Sequence, residues 1–318
     1  MSLDVAILQD NILEGGETIK FTFGDIKEAG RPGKTDLSNH DIIILGDNAL
    51  NDTGMVKFSD GDSASLNLEP ASHPGQDASF GRDTEYHPSF DGHEGFSFTK
   101  LDQDGNPLPS NAGAWTCSRD NVTGLVWENK VADVSLDGGI NPETGDFIQP
   151  TLSGDEFRGG NLVYGWHNDD RLTNGGDEGL RESREGILPR DNPVAGTGEC
   201  GFAYDSTRSH KPYCHTKAYI QEMNHQNVCG FIDWRMPTNE ELRSLANYEP
   251  SKEVGSSPDS NYFKNIKADG GPESIRYFSS TPAADNEGSA WCYDFGEGEA
   301  KLCKKISYRA VMAVRNKQ

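Results

Sequence analysis

Six cysteines, Cys117, Cys200, Cys214, Cys229, Cys292 and Cys303, are the residues whose type most narrows the chemistry open to this 318-residue chain. No two stand in a C-x-x-C pair. Zinc sites usually draw on closely paired thiolates, so three disulfides in an oxidising compartment are the expectation instead. The run Ser279-Ser280-Thr281 has the look of a nucleophile cluster, but no histidine-and-acid motif accompanies it. A serine bonding backbone at a strand end is the plainer reading. His210, His215 and His225 flank Cys214 without a recognised ligand spacing, and surface or capping roles outweigh a metal role. H-E-x-x-H, G-x-S-x-G, P-loop and G-x-G-x-x-G patterns are all absent.

Two groups of charged residues point to binding rather than turnover. Asp102-Gln103-Asp104-Gly105-Asn106 and Asp60-Gly61-Asp62 place carboxylates on turns, while Asp169, Asp170, Asp177 and Glu178 lie in a Gly-rich stretch. Hard cations take about six to eight oxygens, so Asp102, Asp104, Asp169, Asp170 and Asp177 are candidate calcium ligands. No segment is a full EF-hand loop, since the terminal glutamate is missing, and a solvated turn is the competing reading. Lys301, Lys304, Lys305 and Arg309 cluster in an otherwise acidic chain. They suit the sulfate or carboxylate groups of a glycosaminoglycan-like polymer, with a solvated hairpin face balanced by Glu297 and Glu299 as the alternative.

The charge balance weighs against that polymer. With 29 basic and 51 acidic side chains the net charge is −22. A field of that sign repels polyanions, and with them nucleic acid and anionic lipid, so a neutral glycan or a protein is the better partner. From Cys229 onward 13 acids nearly balance 12 bases, so residues 1–228 carry the excess. Apolar residues make up 34% of the chain, and Gly, Asn, Asp, Ser and Pro are plentiful, which describes a loop-rich fold of short elements. Fourteen Phe, ten Tyr and five Trp are too many for a disordered polymer. No run approaches the roughly 20 apolar residues of a membrane helix, so no membrane insertion is expected. The chain opens without a charged and apolar leader, and a removed signal peptide would leave no trace in it.

The elements that position these residues are short. Val5–Leu8, Thr18–Phe23, Asp41–Leu45 and Met55–Phe58 read as strands of a small β-rich unit over residues 1–75. Residues 72–95 read as a linker or surface loop. Phe96–Leu101 alternates like a strand, and residues 130–200 read as long ordered loops with a core segment at Leu162–Trp166. A helix is expected from Thr216 to about Asn227 with Tyr219, Ile220 and Met223 on one face. A second begins at Thr238, where Glu241 completes a capping box, buries Leu242, Leu245 and Ala246, and stops at Pro250. Near the end, Trp291–Phe295 and Ala300–Cys303 form a hairpin turning at Gly296–Glu299. Placing Phe295 opposite Ala300 sets Tyr293 against Leu302, Asp294 against Lys301 and Cys292 against Cys303, a bridge worth roughly 2–3 kcal/mol.

Several motifs resemble one bacterial domain family, that of the C-terminal domain of the Legionella collagen-like adhesin. Asp120-Asn121-Val122-Thr123-Gly124-Leu125-Val126-Trp127-Glu128 resembles its opening motif, and Gly230 to Leu242 its "G-y-x-D-W-R-L-P-T-x-x-E-L". Tyr277–Thr281 resembles its "Y-W-S-S-T", Trp291–Phe295 its "A-W-x-x-x-F", and Val311–Arg315 its terminal "V-R-x-V-R". Phe278 and Met312 depart from the pattern. The resemblance covers residues 95–318 and implies an α+β fold similar to C-type lectins and formylglycine-generating enzymes, with long loops. It implies an adhesin-type, non-catalytic binding module over residues 76–318, bacterial, secreted or cell-surface (periplasmic or extracellular). The partner would be a glycan or an extracellular protein. No cofactor is required in that reading, with calcium the one candidate, and an oligomer is compatible with it. The alternatives are a calcium-dependent sugar-binding domain and a formylglycine-generating-like oxidoreductase, whose chemistry needs two closely spaced reactive thiols. Trp127 and Trp234 read as core posts, and Asp233 and Arg235 as ion-pair or loop-bonding residues. Cys117 with Cys229 and Cys200 with Cys214 are the preferred remaining disulfides.

Overall fold

The computed structural model describes residues 17–21, 40–44, 51–85, 91–93, 95–134, 143, 155–180, 215–249, 257–268 and 275–316. In chain order the elements are β1 (Glu17–Phe21), β2 (His40–Ile44), α1 (Arg82–Glu85), β3 (Phe98–Leu101), β4 (Cys117–Asp120), β5 (Val126–Glu128), β6 (Tyr164–Gly165), α2 (Thr216–His225), α3 (Asn239–Arg243), β7 (Arg276–Pro282), β8 (Ser289–Asp294), β9 (Glu299–Lys304), β10 (Tyr308–Arg309) and β11 (Val314–Arg315). This is the α+β mixture that the resemblance implies.

The strands form small antiparallel sheets. β1 pairs with β2, Glu17 opposite Ile44. A four-stranded sheet runs β11-β5-β4-β3, and a three-stranded one β7-β8-β9. β10 lies between them, paired with β6 on one side and bridged in parallel to β7 through Tyr277 and Ala310 on the other. Two of the four expected N-terminal strands are therefore present, and Val5–Leu8 lies outside the described residues. Met55–Phe58 is not a strand. Its amides are taken by side chains, Met55 N–H by Thr53 Oγ1 and Val56 N–H by Glu249 Oε2, and only Phe58 makes a bridge, to Leu66. The same segment docks on the rest of the chain, for Tyr248 N–H donates to the Thr53 carbonyl and the Asn51 amide to Asp120. The expected linker at 72–95 holds α1 and a 3-10 turn (Asp77–Ser79), and Arg82 Nε donates to the Gly95 carbonyl.

Both helices start where the capping chemistry places them, but α3 ends at Arg243, well short of the expected stop at Pro250. Thr238 Oγ1 accepts from Glu241 N–H while the Glu241 carboxylate accepts from Thr238 N–H, so two otherwise orphaned amides are satisfied reciprocally. α2 buries Tyr219 and Met223, with Ile220 packed at the margin.

The C-terminal segment is the centre of the molecule. Residues Ala310 to Val314 are all buried. Alternate side chains enter opposite cores, as strand geometry requires: Ala310, Met312 and Val314 join Trp127, Leu242, Tyr277 and Phe295, while Val311 and Ala313 join Tyr164, Tyr219 and Trp234. A third cluster holds Trp166, Phe278, Ala290, Cys292 and Cys303. Phe278 and Met312, the two departures from the family pattern, are thus buried core residues. Trp127 and Trp234 are core posts as expected.

The hairpin register differs from expectation by two residues. Tyr293 faces Ala300, Asp294 faces Glu299, Cys292 faces Lys301 and Ala290 faces Cys303. The turn starts at Phe295 because Asp294 Oδ1 accepts from the amides of Gly296 and Glu297, and Gly298 takes the left-handed conformation (φ 71°) that closes it. A slip of two keeps every side chain on its expected face. Cys292 and Cys303 become diagonal neighbours, 6.0 Å apart at Cα, and still form the predicted bridge.

Candidate functional site

The structure takes the basic cluster apart. Lys305 is fully buried, and its ammonium donates to three backbone carbonyls, Asn174 at 2.7 Å, Asp177 at 2.7 Å and Glu287 at 2.5 Å, lying 4.4 Å from the centre of the Trp166 ring. That exhausts its three donors. Burial lowers its pKa, opposed by Asp177 and Glu287. Lys301 is neutralised between Glu297 and Glu299. Asp294, expected to pair with Lys301, instead meets Arg276 at 3.4 Å. Arg309 donates to the Tyr308 carbonyl and sits beside Arg276 across the β10–β7 contact. Lys304 alone is exposed, and strand alternation turns it to the face opposite Lys301 and Cys303. No single basic surface unites the four residues. The signal for Lys305 was present in the sequence, because it shares the strand parity of the buried Cys303.

The acidic turns use their carboxylates internally. Asp102 Oδ1 accepts from the amides of Asp104 and Asn106. Asp170 Oδ1 accepts from Leu172 N–H, Asp177 Oδ1 from Gly179 N–H, and Asp169 pairs with Lys217. Among the described residues no three His, Cys, Asp or Glu side chains converge to hold a metal ion.

The motif residues also bond inward. Glu128 is fully buried; both its oxygens lie 2.6 Å from the Tyr219 hydroxyl, Ala313 N–H donates to it at 2.8 Å, and Lys130 Nζ stands 3.7 Å away. Burial brings the Lys130 pKa down to about 8 against the pull of Glu128. Asp233 holds Arg315 through two bonds of 2.6 and 3.0 Å, and Arg235 holds Glu241 through two of 2.7 and 2.6 Å. The D-W-R motif therefore points its charges two ways, to the terminal strand and to the capping box of α3. The family model for the Lcl C-terminal domain matches residues 116–315. The chain belongs to that family. No curated protein and no solved structure matches it. Membership fits a module of a collagen-like surface protein, and the signature of the Lcl C-terminal domain is revealed as scaffolding, with the terminal segment held by Glu128 at Ala313, Arg235 at Val314 and Asp233 at Arg315.

The cysteines of this Lcl C-terminal domain follow suit. Cys117–Cys229 and Cys292–Cys303 are disulfides buried in the second and third cores. Cys200 and Cys214 lie outside the described residues, as does His210. Ser279 donates to the Trp291 carbonyl at 2.8 Å, so it bonds backbone as expected, but from the middle of β7 and not from a strand end. His225 is exposed beside Glu222. Among the described residues no helix is long and apolar enough to cross a membrane.

His215 takes the capping role, one of the two expected for it, at the start of α2. Its Nδ1 accepts from Ala218 N–H at 3.1 Å, and its ring lies 4.5 Å from that of His167. Burial first, then His167, depresses its pKa to about 4. Because the folded value lies below the unfolded one near 6.5, the unfolded chain binds the proton first. Stability is therefore retained above pH 6.5 and lost as pH falls toward 4. Urea unfolding at pH 6.5 and pH 5 should show a loss of up to about 2 kcal/mol from this group. His215→Asn, which keeps a capping acceptor but does not titrate, should flatten that part of the dependence; an unchanged slope would refute it.

Proposed function

We propose that the chain is a secreted or cell-surface recognition module that binds through loops on a lectin-like scaffold and performs no covalent chemistry. The observation that carries this is the loop 168–180. Lys305 pins it from below through the Asn174 and Asp177 carbonyls, a bridge from His167 to Gly179 closes its base, and Asp170 caps its turn. Yet Leu172 at its tip is 94% exposed, beside exposed Arg171. An apolar side chain held out by an ordered loop suits an anchor for a partner, because the entropy of ordering is already spent.

The partner that fits is an extracellular protein or a neutral glycan. The net charge of −22 opposes a polyanion, and the cations that would hold one are dispersed or neutralised. Adhesion is the leading use. The oxidoreductase alternative draws no support from Cys292 and Cys303, which are joined to each other inside a core cluster. No cofactor is needed for this reading.

A glycan and matrix-protein array, run with calcium and with chelator, tests it. Leu172→Ala should weaken binding at least about tenfold, while Lys304→Ala with Arg309→Ala leaves it unchanged. Binding lost on chelation alone would establish the calcium-dependent alternative, and turnover of a thiol peptide the enzymatic one.

A further inference from the structure

Two arginines meet where β10 crosses to β7, with too few acceptors between them. Tyr277 of β7 bridges in parallel to Ala310, and Ala310 N–H donates to the Arg276 carbonyl. The residues before them, Arg276 and Arg309, are therefore cross-strand neighbours on one face. In the same row Arg309 stands opposite Tyr164 of β6, and Arg276 stands opposite Asp294 of β8. Like charges set side by side on a sheet are destabilising, and burial adds to the cost. Burial, and after it the Arg276 charge, lowers the Arg309 pKa.

Asp294 does not balance the pair. Its Oδ1 accepts from the amides of Gly296 and Glu297, and its Oδ2 meets Arg276 Nε only at 3.4 Å. Arg309 Nη1 donates to the Tyr308 carbonyl, while its Nε is closed to solvent and has no acceptor among the described residues. Other arginines of the fold show what is missing. Arg158, Arg235 and Arg315 each hold a carboxylate oxygen at 2.9 Å or closer. A guanidinium carries five donors in a fixed fork, and a dry donor left open destabilises the empty protein. Stability is given up in this way where a ligand is to be held.

We propose that Arg276 and Arg309 form a binding site for a small free monocarboxylate, held by the two guanidinium forks. Two cations against Asp294 leave one positive charge, which a monoanion balances and a sulfate or phosphate dianion exceeds. The net charge of −22 reinforces that choice, since repulsion grows with the charge of the ligand. A planar carboxylate also matches the guanidinium fork in shape. The site is only partly open. The Arg276 side chain is 24% exposed and Arg309 is half-buried, which suits a small molecule better than a polymer. This site goes beyond the recognition of a macromolecule proposed above.

Arginine Nε–H signals of the whole chain, followed by NMR during titration with sodium acetate, test the site against sodium chloride at equal ionic strength. The expected result is a saturable shift confined to Arg276 and Arg309. Arg276→Lys and Arg309→Lys keep the charge but lose the fork, and each should weaken acetate binding at least about tenfold. In chloride, Arg309→Gln should unfold at a urea concentration no lower than the parent, because a like-charge contact is relieved. Acetate should raise the midpoint of the parent and leave that of Arg309→Gln where it was. No saturable shift with acetate, or an equal one with chloride, would overturn the proposal. A lower midpoint for Arg309→Gln in chloride would make the pair structural, and tighter binding of sulfate than of acetate would reject the monocarboxylate. Loss of array binding in Arg276→Lys would put the anion on the macromolecular partner, against a free ligand. The acetate titration does not involve Leu172, so the two readings fail separately.

Discussion

Lys305→Met should cost about 3 kcal/mol of unfolding free energy, although the substitution removes what the sequence presents as a surface lysine. Three carbonyls, on Asn174, Asp177 and Glu287, lose their shared donor at a site closed to solvent. Each dry acceptor costs about 1–3 kcal/mol, and relief of the buried ammonium's desolvation offsets part of the sum. A surface lysine replaced in the same way would change stability by no more than about 0.5 kcal/mol, so urea unfolding separates the two cases cleanly. The local consequence is as informative. Amides in loop 168–180, among them Asn168, Thr173 and Leu180, should exchange faster in the variant, because their anchor to the turn at Glu287 is gone. Unchanged exchange there would mean that the ammonium does not hold the loop, and the argument for a pre-ordered Leu172 would fall with it.

Removing the Cys117–Cys229 bridge by paired serine substitution should cost more, about 4 kcal/mol. The residues are 112 apart in sequence, and the chain-entropy estimate reaches about 4.7 kcal/mol for a loop of 100 residues. The link ties β4 to the turn after α2, where Cys229 itself holds a left-handed conformation (φ 54°). Both sulfurs sit in the core with Tyr219, Met223 and Trp234, so the polar serines add to the loss. The Cys292–Cys303 bridge spans only 11 residues, and its removal should cost about 2–3 kcal/mol. Chemical denaturation of the two variants gives the comparison. Equal stability of the paired Cys117 and Cys229 variant and the parent, or free thiols at these positions in the purified protein, would contradict the cross-linked scaffold.

Relations between near neighbours were legible in the chain. The capping box of α3 is a three-residue spacing, the buried face of α2 follows a helical repeat, and the hairpin faces follow strand alternation, so local geometry specifies each. The family motifs were legible too, and they placed the resemblance at residues 95–318, within which the family model matches 116–315. The exact hairpin register was not, because two turns of equal length are available and the choice falls to Asp294, whose carboxylate caps one of them and meets Arg276 from another strand.

What the sequence by itself determined was therefore the α+β class, the helix starts, the Cys292–Cys303 bridge and the family, whereas Cys117–Cys229 was one preferred pairing among several until the fold joined it. The tertiary structure alone decided which charges meet the solvent. Lys305 finds its carbonyls 131, 128 and 18 residues away, and Glu128 meets Tyr219 at 91 and Ala313 at 185. No local spacing records such encounters. Charge in a sequence is a property of the residue, but its availability to a partner depends on burial and on donors brought in from distant segments, and those exist only once the chain has folded.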